Sequence, residues 1–187
     1  MSPAAAFTVV RCQLRRLRRD RDGVSAIEFA LVLPFMLALY IGGVEIGDGL
    51  AIQYKVTETA RTVTDLASQY TSIDSPTMTT ILGASSSVVA PYNSSIMKMT
   101  LSEVQTNAQG QGTIAWSCTL NGTKHAVGSS VTLPTNLQIA NVYLLWGEVT
   151  YPYTPSVGYA ITGTITMNQT IYFYPRLSSS ITGPPSC

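Results

Sequence analysis

Charged residues and histidine are both scarce in this sequence. Charged side chains make up 11% of the 187 residues, whereas a typical soluble domain carries about 25%. With hydrophobic residues at 45%, this composition excludes a disordered acidic or basic tail. The single histidine, His125, excludes a metal site built from several imidazoles. The length is enough for one domain with a core and too short for two ordinary ones.

The residue types that enzymes use for chemistry are scattered along the chain. His125 lies among glycine, asparagine and threonine, and we expect a solvated loop residue there rather than half of a Ser–His pair. The segment 110–112, Gly-Gln-Gly, is typical of a turn and not of a phosphate-binding loop. The external carboxylates show no paired spacing: Asp65, Asp74, Glu103 and Glu148. We therefore expect no enzyme activity, no cofactor, no metal and no small-molecule substrate.

The net charge of +1 hides an uneven distribution. Residues 1–22 carry six arginines and two aspartates, a net +4, while residues 23–187 carry a net −3. A basic end on a slightly acidic chain indicates two different environments. An arginine run could contact nucleic acid, but beside an apolar stretch its orienting role and its attraction to anionic lipid explain it. We expect no nucleic-acid partner.

An apolar stretch follows the arginines directly. Residues 29–44 contain no charge, and residues 24–46 would span about 34 Å as a helix, enough to cross a bilayer core of about 30 Å. The positive-inside rule predicts a cytoplasmic leader over residues 1–23 and an external chain from about residue 47. A buried core helix of a soluble protein is the alternative, but the adjoining arginines favour a transmembrane helix.

Glu28 is the unusual residue of this stretch, because a carboxylate within a membrane span is costly. An interfacial acid that reaches water or takes up a proton would explain it simply. Its context suggests more: Gly23 precedes it by five residues, and Phe29 follows it. This pattern resembles the cleavage signal of Flp-type type IV prepilins. The string from Asp22 to Phe35 is similar to the N-terminal segment of TadE-like proteins, minor pseudopilins of tight adherence (Tad) pilus systems.

The resemblance covers residues 22–64 and implies a processing step. Prepilin peptidase would cut after Gly23, which offers an unhindered backbone, and Val24 would become the new N-terminus. Glu28 and Phe29 would serve in recognition by the peptidase and in assembly. The carboxylate of Glu28 would pair with the N-terminal ammonium of a neighbouring subunit, which offsets two desolvation costs at once.

The resemblance also implies partners and a location. The partners would be the membrane, prepilin peptidase, other pilin or pseudopilin subunits and Tad assembly proteins. The protein would cross the bacterial inner membrane once, with its N-terminus cytoplasmic and its C-terminal domain periplasmic, and could enter a surface pilus. The alternative is an uncleaved, membrane-anchored periplasmic scaffold or binding protein of a pilus or secretion apparatus.

Helical periodicity continues beyond the span. Residues 47–71 are expected to form an amphipathic helix that continues the first one, with or without a break near Gly47. Its apolar stripe recurs in steps of four and three: Val56, Ala60, Val63, Ala67 and Tyr70. Ser75 as a cap and Pro76 in the first turn predict a second helix, which ends near Val89.

The remainder of the external domain, residues 72–187, changes to strand patterns. Four segments are rich in alternating or β-branched residues: 96–104, 112–120, 142–153 and 161–174. The third is the most apolar, so we expect it at the centre of an antiparallel sheet, and Asn121-Gly122 predicts a turn. The predicted fold class is α+β, a long N-terminal transmembrane and amphipathic helix packed on a small antiparallel sheet. A resemblance to pilins implies the same plan.

Three cysteines complete the prediction. Cys12 lies in the leader, on the reducing side of the membrane, whereas Cys118 and Cys187 lie in an oxidising compartment. A disulfide between Cys118 and Cys187 would close a loop of about 70 residues, worth about 4 kcal/mol in the loop-entropy model. Two unpaired thiols are the alternative.

Overall fold

The structure, a computed structural model, describes residues 22–158 and 162–187. The arginine-rich part of the leader, with Cys12, lies outside the described residues, and so does Ile161 at the start of the last predicted strand. The chain divides into two units, residues 1–46 and residues 47–187. All of the sheet and its core belong to the second unit.

Helix α1 runs from Asp22 to Ser68 without a break, with Pro34 inside it. It therefore continues past Gly47, and it ends three residues earlier than predicted. In the first unit nearly every side chain of this helix is exposed, including the large apolar residues Phe35 and Tyr40. An apolar helix surface that the chain itself leaves uncovered is the pattern expected of a membrane-spanning helix rather than of a core helix.

In the second unit, the predicted apolar stripe of α1 faces the core. Val56, Ala60, Val63 and Ala67 are all fully buried, and Tyr70 is partly buried just beyond the helix end. This burial confirms the amphipathic pattern. It also means that the stripe packs on the domain's own helix and sheet residues.

Helix α2 extends from Ser75 to Val89, as the sequence predicts. The predicted cap was wrong by one residue, since Asp74 caps the helix and Ser75 is its first residue. The carboxylate of Asp74 accepts a hydrogen bond from the Thr77 N–H at 2.9 Å, which satisfies one of the unpaired amides of the first turn. Pro76 occupies the first turn, where no amide donor is needed.

The sheet has five antiparallel strands in the order β3-β2-β1-β4-β5. The strands are β1 (Lys98–Thr106), β2 (Gly112–Leu120), β3 (Ser130–Val131), β4 (Tyr143–Tyr153) and β5 (Ile165–Phe173). The predicted central position of β4 was wrong: the middle strand is β1, and β4 lies between β1 and β5. The long helix and the small antiparallel sheet confirm the predicted α+β class.

A β-bulge divides the core between the two faces of the sheet. Glu103 of β1 pairs with Trp116 of β2, but the next residue, Val104, pairs with Ile114. The extra residue, Ala115, reverses the alternation of β2. Trp116 consequently packs into the core beneath the helices, whereas Ile114 joins a small cluster on the opposite face with Val104, Leu133 and Leu144.

Candidate assembly site

The segment predicted to be processed lies at the start of α1. The Gly23–Val24 bond lies at the start of the described part of α1, and both residues are exposed. Val24, Glu28 and Phe29 are all exposed, at 51% for Val24 and 62% for Phe29. Val24 and Glu28 are four residues apart on a helix, so they share one face. All four predicted processing and recognition residues are therefore exposed, but Phe29, five positions from Val24, lies on a different face of the helix.

Helix α1 also carries the predicted membrane span. Within residues 22–158 and 162–187, it is the one helix whose length and composition would suffice to cross a membrane. Such a helix could anchor the chain in a membrane by a single pass. Its apolar surface outside the sheet domain is available to lipid or to the helices of other subunits.

Residues 174–187, here called the C-terminal segment, fasten the end of α1 to the domain. The guanidinium of Arg176 forms an ion pair with Asp65 of α1. The Arg176 N–H donates to the Ser68 carbonyl, the last one of the helix, at 2.9 Å. This bond occupies a carbonyl that has no partner within the helix, so the segment acts as a C-terminal cap supplied from 108 positions away in the sequence.

The same segment is joined to the start of α2 and to the sheet. Ile73 donates its N–H to the Thr182 carbonyl at 2.9 Å, and the Thr182 N–H donates to the Thr71 carbonyl at 3.1 Å. A disulfide links Cys187 to Cys118 of β2, with 5.2 Å between the Cα atoms, and this is the pairing that the sequence predicts. The C-terminal segment therefore holds both helices against the sheet.

Glu103 is a buried carboxylate beneath the C-terminal segment. Its side chain is 2% exposed, and its Oε1 accepts the Ile181 N–H at 2.7 Å. The Trp116 indole N–H donates to the Ile181 carbonyl at 2.8 Å. Burial raises the pKa of Glu103 from 4.5 to about 7, because the hydrogen bond from the Ile181 N–H only partly compensates for lost hydration.

On the opposite face of the sheet, His125 belongs to an aromatic stack. Its ring lies on Trp146 with 4.6 Å between centroids, and Trp146 stacks on Tyr172 at 6.0 Å. The Nε2 atom of His125 lies 2.5 Å from Glu148 Oε2. His125 lies in a loop, as expected, and its side chain is 35% exposed, although its ring also packs on Trp146. Trp146 and Tyr172 pack against the smaller core cluster, and the stack holds His125 and its loop on top of them.

Two of these groups escaped the sequence prediction for different reasons. From the sequence, Glu103 is counted among the scattered external acids. It is nevertheless two positions from Leu101 and four from Met99, both buried, and residues at this spacing share one face of β1. That signal was present in the sequence. The contact between His125 and Glu148 joins residues 23 positions apart and depends on the path of a loop, which no local pattern reveals. In the described part of the chain, no group of acidic, cysteine or histidine side chains could hold a metal.

Comparison with known proteins gives a match that covers most of helix α1. Residues 23–65 match the model of a family described as TadE-like protein, which confirms the resemblance inferred from the sequence. The match begins at Gly23 and covers the predicted span and most of the remaining part of α1. It suggests a protein associated with the membrane and with other components of a Tad pilus system. No curated protein and no solved structure matches the chain significantly.

Proposed function

We propose that the chain, with its TadE-like segment, is a minor pseudopilin that takes part in the assembly of a Tad or Flp-type pilus. The match of residues 23–65 supports this proposal. Its first residue, Gly23, is also the residue after which cleavage is expected. In this proposal α1 is both the membrane anchor and the element through which subunits assemble.

The proposed sequence of events begins with membrane insertion, which the charge of the leader orients. The precursor inserts into the inner membrane with its arginine-rich leader, net charge +4 over residues 1–22, on the cytoplasmic side. Prepilin peptidase then cuts the exposed bond between Gly23 and Val24. Cleavage removes the leader and creates an ammonium group on Val24 at the edge of the membrane.

Glu28 then provides the partner for that ammonium. A lone carboxylate near the apolar core of a membrane carries a large desolvation cost, and so does a lone ammonium. Pairing Glu28 of one subunit with the N-terminus of a neighbour satisfies both groups at once. The pair therefore favours association of processed subunits over single ones.

Packing limits where subunits can touch. The apolar stripe of α1 from Val56 to Ala67 is already covered by the domain's own core. Contacts between subunits must therefore use the exposed apolar surface of residues 23–46 and the outer surfaces of the sheet domain. A periplasmic location of that domain agrees with its disulfide, because disulfides persist in oxidising compartments.

The decisive experiment is the mass and N-terminal sequence of the protein from cells with and without prepilin peptidase. We expect a chain that begins at Val24 only when the peptidase is present. Gly23→Leu should block the cut by crowding the scissile backbone. Gly43→Leu is the matched control and should be cut normally, since Gly43 is an exposed glycine of the same helix with no atoms close to it. A full-length chain in peptidase-competent cells would instead support the uncleaved scaffold.

A further inference from the structure

Three tyrosines surround a cleft at the end of the sheet domain where β4 finishes. The cleft has a volume of about 320 Å³. Among the residues that line it are Tyr92, Tyr151, Tyr153, Ile52 and Ile96. Tyrosine combines an apolar ring with a polar hydroxyl, and it is enriched where protein meets the boundary between lipid and water.

Chain connectivity limits how far the residues beside this cleft can lie from the end of the proposed span. Gly49 of α1 lies beside the cleft residue Tyr153, because a methyl group built on Gly49 would lie 3.6 Å from Cε1 of Tyr153. Gly49 follows Ile46, the last residue of the span, by three positions. Three residues cover about 5 Å as a helix and at most about 11 Å when extended. The headgroup region is about 5–8 Å deep on each side of a bilayer.

Exposed apolar side chains lie beside the same cleft. Val157, which follows the cleft residue Ser156, is 63% exposed. Ile96, at the rim, is 40% exposed. Among the residues that line the cleft, Asp48 is the charged one. With an acid there and no basic side chain in that lining, the chemistry suits a zwitterionic headgroup rather than an anionic one.

We propose that Tyr92, Ile96, Tyr153 and Val157 form a membrane-docking surface that rests in the headgroup layer of the bilayer crossed by α1. The inference depends on the membrane anchoring in the proposed function. The partner is a lipid surface, whose position is set by the covalent link between the span and Gly49. The apolar side chains enter the boundary of the acyl chains, while the tyrosine hydroxyls stay with the headgroups.

The test measures the depth of single positions in phosphatidylcholine vesicles. The full chain, with Cys12→Ser so that no native thiol outside the disulfide reacts, carries one environment-sensitive fluorophore on Val157→Cys. Val127→Cys is the matched control, because Val127 is an equally exposed valine. Its neighbour Gly128 bonds Ile114, which lies about 30 Å from Tyr153 along the strands. Leu39→Cys, in the span, reports insertion. Doxyl-labelled phosphatidylcholine is the quencher.

We expect strong quenching at positions 39 and 157 and several-fold weaker quenching at position 127. Quenching at 39 with equal, weak signals at 157 and 127 would overturn the docking surface and leave the anchoring intact. Equal, strong quenching at 157 and 127 would also overturn it, because the contact would then not be specific to this end of the domain. Absence of quenching at 39 would reject the anchoring and the docking surface together.

Discussion

Replacing Glu103 by glutamine should remove a pH dependence of stability that the natural protein carries. Below pH 4.5 the Glu103 carboxyl is protonated in both folded and unfolded chains, and it contributes no slope. Between pH 4.5 and about 7 the unfolded chain loses this proton, while the folded chain retains it because burial raises the pKa to about 7. The free energy of unfolding therefore falls as the pH rises through this window, and the loss is complete above it.

The size of the loss follows from the two pKa values. A tenfold change in an equilibrium constant corresponds to about 1.4 kcal/mol. The rise in the pKa of Glu103 from 4.5 to about 7 therefore corresponds to about 3 kcal/mol in the free energy of unfolding. Little of this is screened by solvent, because the side chain is 2% exposed. Glutamine keeps an oxygen for the Ile181 N–H and cannot ionise.

The assay is urea unfolding of the full chain in detergent between pH 5 and pH 8, followed by tryptophan fluorescence. The difference in unfolding free energy between Glu103→Gln and the natural protein should change by about 3 kcal/mol over that window, in favour of the variant at high pH. Asp74→Asn is the control. Hydrogen bonds from Thr77 lower the pKa of Asp74, so its stabilisation is lost only below about pH 4. Parallel curves for Glu103→Gln and the natural protein would refute the buried-carboxyl argument.

Three further predictions concern pilus assembly, the disulfide and packing around glycine residues. Glu28→Ala should leave insertion and cleavage largely intact but impair pilus formation in cells, and normal pili would disprove the pairing role. Cys118→Ser should remove a faster-migrating band from non-reducing gels and lower the free energy of unfolding by about 4 kcal/mol; an unchanged band would mean unpaired thiols. Gly147→Ala should cost about 1–3 kcal/mol in urea unfolding, because the methyl group would overlap the Thr64 hydroxyl. Gly83→Ala, in open space on α2, should instead stabilise by about 0.5–1 kcal/mol.

Features with a local cause could be predicted from the sequence. The stripe from Val56 to Ala67 has helical spacing, so its burial follows from the period alone. Pro76 marked the start of α2 for a similar reason, since proline is tolerated in a first turn. The strand β2 was likewise visible as a change of pattern.

Features that depend on long-range pairing could not be predicted. β4 is the most apolar strand, yet β1 is the middle one, because two strands lie on each side of it: β2 and β3 on one side, β4 and β5 on the other. Strand order depends on which edges meet, and hydrophobicity does not encode that. The bulge at Ala115 also has no signature in the sequence, although it decides that Ile114 and Trp116 face opposite sides of the sheet.

The C-terminal segment has a consequence for the order in which the domain folds. Its contacts join residues far apart in the chain, 111 positions for Asp65 and Arg176 and 78 for Glu103 and Ile181. Closing such loops costs chain entropy that grows with length, so these contacts should form after the local β1–β2 hairpin. In the unfolded chain Glu103 faces water and is ionised at neutral pH. The folded domain, with the segment in place, covers it and raises its pKa to about 7, so folding takes up a proton near neutral pH and is favoured on the acid side.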